Sequence, residues 1–153
     1  MMGRADSTGL PGAAVLRSFM DDGELERLLP HSAQGELSPG ELLFEAGEEG
    51  EFMAFVLEGR LAVRAPALFP GRSVLLAEVE PGGMVGEGAV FSSRPHAVSV
   101  AAVERSRLLL LDRKSLQALA KEDKDLSMKV MTWAIQALQL RLHGADRRLV
   151  QIL

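Results

Sequence analysis

The chain predicts a mainly β domain of the α+β class, with its strands in a sandwich or barrel and helices at both ends. Between Gly35 and Asp112, short alternating apolar runs are punctuated by Pro39-Gly40, Gly47, Gly50, Gly59, Pro70-Gly71 and Pro81-Gly82-Gly83. Their spacing of about ten residues suits consecutive antiparallel strands. Before and after that segment the apolar residues recur at helical intervals instead. A length of 153 residues with 47% hydrophobic content is enough for one domain with a real core and an appended helix.

Residues 1–12 are small and polar, with Gly3, Gly9, Pro11 and Gly12, and are expected to form a flexible N-terminal arm. The next unit, 13–125, holds the strands and their flanking helices. From Ala13 to Leu29 the residues Val15, Leu16, Phe19, Met20, Leu25 and Leu28 fall at helical spacing and are interrupted by Asp21-Asp22-Gly23, which predicts two short helices ended by Pro30. Strands are expected over 52–57, 60–64, 73–79, 97–103 and 108–111. Asp112 is placed to cap a short helix containing Leu116 and Leu119. A final helix over 126–153 would be about 42 Å long. Along it Met131, Ile135, Leu138, Leu142, Ala145, Leu149 and Ile152 alternate steps of four and three, the seam of a two-stranded coiled coil. A second stripe, Leu126, Val130, Trp133 and Ala137, is available to pack on the strands. Gly144 costs about 1 kcal/mol in a helix interior and marks a place to end or hinge it.

Composition removes several classes of function. The net charge of −4, with acids and bases mixed, argues against a general nucleic-acid binder. Without cysteine, disulfides, thiolate metal sites and thiol catalysis are unavailable. His31, His96 and His143 are too scattered to nominate a metal site. No paired acids or Ser-His-Asp spacing nominate a reaction, so no enzyme is expected. No run of about 18 apolar residues and no signal-peptide core occur, so the expected setting is cytoplasmic, without a membrane.

One stretch carries candidate chemistry: Val85-Gly86-Glu87-Gly88-Ala89-Val90-Phe91-Ser92-Ser93-Arg94-Pro95-His96-Ala97-Val98-Ser99-Val100. Gly86 and Gly88 permit unusual dihedrals and close ligand approach, and successive free amides in such a turn attract negative charge. Glu87 is an acceptor suited to sugar hydroxyls. Pro95 stiffens the loop and presents His96 from a rigid point at the head of a strand.

This stretch resembles the phosphate-binding cassette of the cyclic-nucleotide-binding domain family, which includes catabolite activator protein and the regulatory subunits of cyclic-AMP-dependent kinase. Gly86-Glu87 matches its opening, Ala89 its small backbone donor, Pro95 its proline, Ala97 its alanine and Ser99-Val100 its close. Ser38-Pro39-Gly40-Glu41, Gly47-Glu48-Glu49-Gly50, Val56-Leu57-Glu58-Gly59 and Glu80-Pro81-Gly82-Gly83 extend the resemblance, which covers roughly 13–145. It implies a jelly-roll-like β-barrel of about eight strands and a cyclic nucleotide ligand, cAMP or cGMP, with no other cofactor. In the family the glutamate binds the ribose 2′-hydroxyl, and backbone amides and the small hydroxyl residue bind the cyclic phosphate. That assigns a ligand site to Gly86, Glu87, Gly88, Ala89, Arg94, His96, Ala97 and Ser99, with no metal.

Two positions depart from the family pattern. Gly88 replaces an aliphatic residue, and His96 stands where an arginine pairs with the phosphate. Losing that contact weakens binding by about ten- to a hundredfold, with His96 or Arg94 left to supply charge. The long helix, by the same resemblance, forms a homodimer through Met131, Ile135, Leu138, Leu142 and Leu149, and closes over the base near Arg141. No helix-turn-helix follows, so direct DNA binding is not expected and a protein partner receives the signal. The expected function is a stand-alone regulatory domain sensing a cyclic nucleotide through the Gly86-Glu87…Pro95-His96 cassette with altered phosphate recognition. The alternative is a degenerate relative acting as a ligand-independent dimeric interaction module.

Overall fold

A computed structural model of the protein describes Leu10 and residues 12–152, and side chains as far as Gly144. Most of the expected N-terminal arm and the Leu149 side chain lie outside these described residues. Two short helices, α1 (Ala13–Arg17) and α2 (Asp22–Leu28), lead through a 3-10 turn to eight strands. These are β1 (Ala33–Leu37), β2 (Leu42–Phe44), β3 (Phe52–Glu58), β4 (Leu61–Pro66), β5 (Ser73–Val79), β6 (Met84–Val85), β7 (Ser99–Ala102) and β8 (Ser106–Asp112). Helix α3 (Glu87–Ser92) lies between β6 and β7, and α4 (Arg113–Glu122) and α5 (Lys124–Ile152) close the chain.

The strands form two antiparallel four-stranded sheets in the orders β1-β8-β3-β6 and β2-β7-β4-β5. The jelly-roll architecture is present, but the expected barrel does not close. The two sheets are separate, and β5 is an edge strand with Val74, Leu75 and Leu76 exposed.

Strand β3 shows why its sequence is a continuous apolar run. Successive side chains point to opposite faces: Met53, Phe55 and Leu57 join a core shared with the helices, while Ala54 and Val56 join the core between the sheets. A strand covered on both sides has no polar face to alternate with. β8 repeats the arrangement with Leu109 and Leu111 toward the helices and Leu108 inside the sandwich.

The helices are fixed by local chemistry and by ion pairs. Asp21 caps α2 in a reciprocal capping box with Glu24, which satisfies otherwise orphaned amides. Asp112 caps α4, accepting from the Ser115 N–H at 2.7 Å. Lys129 of α5 donates to Glu24 at 2.7 Å, and Arg27 donates to Asp123 at 2.7 Å, tying both helical ends together. On α5, Leu126, Val130, Trp133 and Ala134 are buried. The Trp133 ring is stacked between Phe19 and Phe55, with centroids 4.0 Å from each. This inner stripe seats the long helix on the first sheet. Residues Met131, Ile135, Leu138 and Leu142 are exposed along the same rod. The helix runs through Gly144 without a break, since a single glycine costs too little to overcome the ladder on either side.

Candidate functional site

The site begins where β6 ends. Gly86 has a left-handed φ of 82°, and a Cβ there would stand 2.7 Å from the Phe52 carbonyl oxygen. No other residue fits that turn without strain. It directs the chain into α3, whose first residue is Glu87. The sequence reads as a turn and loop at this point; the structure makes six of these residues helical. Gly88 is exposed and a Cβ there would meet nothing within 4 Å, so its backbone is open to approach. Ala89 packs so tightly on Gly50 that a Cβ at 50 would lie 2.2 Å from its own. Arg113, at the start of α4, donates to the Gly50 carbonyl at 2.8 Å and to the Val90 carbonyl at 3.3 Å. The end of α3 is thereby locked to the sheet.

The turn between β2 and β3 then holds the loop exit. The His96 N–H donates to the Glu48 carbonyl and the Gly47 N–H to the His96 carbonyl, both at 2.8 Å, while Pro95 bridges Glu49. This clamp aims the His96 ring inward, where it stacks on Phe44 with centroids 3.6 Å apart and planes 7° from parallel. Its Nε2 has no hydrogen-bond partner among the described residues. Burial pushes the imidazole pKa below its ordinary value, against a smaller opposite effect of the Glu48 charge. The ring is therefore neutral at pH 7.

A cavity of about 280 Å³ opens between α3, the loop and α5. Gly86, Glu87, Gly88 and Ala89 line one side, and Arg94, His96 and Ala97 line another. Seven of the eight residues assigned to the site thus meet at one cavity. Ser99 does not. Its hydroxyl accepts a hydrogen bond from the Ala46 N–H at 2.9 Å, which fastens β7 to the β2–β3 turn. Arg94 is exposed and has no ion-pair partner among the described residues.

The remaining wall comes from α5. Leu138, placed by the sequence on the dimer seam, and Arg141 both face the cavity. The Glu87 carboxylate is 1% exposed and forms an ion pair with the Arg141 guanidinium. It accepts no conventional hydrogen bond from any other described group. Burial lowers the Arg141 pKa, but a guanidinium stays protonated at pH 7. Of the lining residues that sequence reasoning did not assign to the site, Ser92, Pro95 and Val98 belong to the cassette stretch, whereas Phe44 comes from β2, where the β2–β7 pairing brings it beneath His96. Among the described residues no cluster of acids and histidines could hold a metal. Nor is any described helix long and apolar enough to cross a membrane.

Known proteins share this architecture. The profile described as the cyclic nucleotide-binding domain matches residues 34–123. A candidate potassium channel protein of Rhodopseudomonas palustris is 29% identical over 115 residues, covering 75% of this chain and 27% of its own. A CRP-like cAMP-activated global transcriptional regulator of Mycobacterium tuberculosis is 25% identical over 116 residues, covering 74% of this chain and 49% of its own. The chain thus spans about a quarter and about half of these relatives. The crystal structure of a cyclic nucleotide-binding domain from Methylobacillus flagellatus superposes with a TM-score of 0.86 at 21% identity, covering 99% of this chain and 88% of its own.

Proposed function

The chain belongs to the cyclic nucleotide-binding domain family, and on that premise we propose that it is a non-enzymatic regulatory domain whose cavity takes a cyclic nucleotide with altered phosphate recognition. One observation carries this reading. The buried Nε2 of His96 lines the cavity beside Glu87 and has no hydrogen-bond partner among the described residues. Buried polar atoms are almost always hydrogen-bonded, so such an orphan marks a place where a ligand completes the set. At about 280 Å³ the cavity lies at the small end of ligand sites, which suits a compact nucleotide. Glu87 would accept from sugar hydroxyls and the neutral His96 ring would offer a single hydrogen bond.

Calorimetric titration of nucleotide-stripped protein with cAMP and with cGMP at pH 7 tests the reading. Micromolar binding of one of them is expected. Absence of heat with both, up to millimolar ligand, would defeat it.

A second reading is favoured by the Glu87–Arg141 ion pair, which already occupies the acceptor that a sugar would need. In it the domain is a ligand-independent dimeric interaction module. Both readings share one partner surface: the exposed Met131, Ile135 and Leu142 along α5 form an apolar stripe suited to a second copy of the chain, with a protein partner receiving the signal.

A further inference from the structure

We infer that Arg141 of α5 supplies the cation that the cassette loop lacks, so that the cavity selects ligands joining an anionic group to a hydroxyl. The inference rests on the reading that the cavity takes a cyclic nucleotide. His96 lines the wall as a neutral, stacked ring and brings no charge. Arg94 is on the wall but exposed, where water screens it. Among the described residues lining the cavity, the cation set deep enough to act in a low dielectric is Arg141, whose side chain is 27% exposed and lies against the 1%-exposed Glu87.

Formal charge in the buried part of the cavity therefore sums to zero, −1 from Glu87 and +1 from Arg141. A neutral ligand can offer hydroxyls to the Glu87 oxygens, which have lone pairs enough to keep Arg141 as well, but it makes no use of the outer edge of the guanidinium. A ligand that also carries an anion brings that sum to −1 and gains a charge-assisted bond to the guanidinium that a neutral ligand lacks. The guanidinium has five donors in a planar fork, enough to bond a carboxylate and a phosphate at once. Arg141 can thus keep one edge toward Glu87 and turn the other to the ligand, without having to leave the cavity. Leu138, one turn earlier on the same helix face, gives the ligand an apolar contact on that side.

The test is calorimetric titration of the full chain and its variants with cAMP and with adenosine, which lacks the anion. Arg141→Gln should weaken cAMP binding by about ten- to a hundredfold and leave the weak binding of adenosine unchanged. Arg141→Lys, which keeps the charge and loses the fork, should fall between wild type and Arg141→Gln. It also serves as the readout if the glutamine variant does not fold. Equal or tighter cAMP binding by either variant would overturn the inference, making Arg141 an obstruction instead of a selector. Wild-type binding with unchanged variants sinks this inference alone, whereas silence of all three proteins with both cAMP and cGMP sinks the cyclic-nucleotide reading with it.

Discussion

Truncating Trp133 to alanine tests how the C-terminal helix is held over the cavity. The indole is 5% exposed and lies between Phe19, at an interplanar angle of 18°, and Phe55, at 25°. Removing a buried tryptophan costs about 3–5 kcal/mol, of which the two stacked pairs account for about 1–3 kcal/mol. Against a total stability of about 5–15 kcal/mol, that is a large fraction. At about 2–4 °C per kcal/mol for a domain of this size, the midpoint should fall by roughly 6–20 °C. Trp133 is the sole tryptophan, so unfolding of the variant is followed by far-UV circular dichroism in urea. Trp133→Phe keeps a ring in the stack and should lose less. A loss below about 1 kcal/mol for the alanine variant, with an unchanged denaturant slope, would show that α5 is seated by other contacts.

Three further outcomes are expected. Arg113→Ala removes the donors to the Gly50 and Val90 carbonyls and should cost about 1–3 kcal/mol; hydrogen exchange should quicken across α3, and unaltered protection there would refute its clamping role. For His96 the folded pKa lies below the unfolded one because burial disfavours the cation, so the unfolded chain takes up the proton first. The stability due to the neutral ring is complete above about pH 6.5, and it falls as pH drops below that value until the folded pKa is passed. Urea titrations between pH 8 and pH 5 should show a slope that His96→Phe reduces, and identical slopes would count against it. Ile135→Glu places a charge on the outer stripe, away from the cavity wall, and should yield monomers in sedimentation; a variant that still sediments as a dimer would take α5 out of the interface.

What could be read from the sequence depended on whether the deciding interactions are local. The break between α1 and α2 is visible because Asp21 caps the second helix within its own turn, and β5 is visible because its run over 73–79 is bounded by turn residues. Asp112 is legible as a cap for the same reason, with Ser115 three residues away. α3 is not legible, because Gly88 lowers its helical propensity, its N-cap Gly86 offers no side-chain cap, and its closure depends on Arg113, more than twenty residues downstream. β1, with the sequence AQGEL, lacks β-branched and aromatic residues and is made a strand by pairing with β8. In the site, the residue types around Glu87 nominate a segment that lines the cavity. The Glu87–Arg141 pair, the Phe44–His96 stack and the bond between Ala46 and Ser99 join distant positions, and no spacing rule reaches them.

The seating of α5 at Trp133 makes the helix a lever with unequal arms of known length. Arg141 lies eight residues beyond that pivot, about 12 Å along the axis at 1.5 Å per residue, and the last described turn lies about 28 Å beyond it. A tilt of about 5° about the pivot would carry Arg141 through about 1 Å, enough to change which atoms its guanidinium meets, and would carry the helix end through about 2.5 Å. A displacement at the cavity is thus more than doubled at the tip.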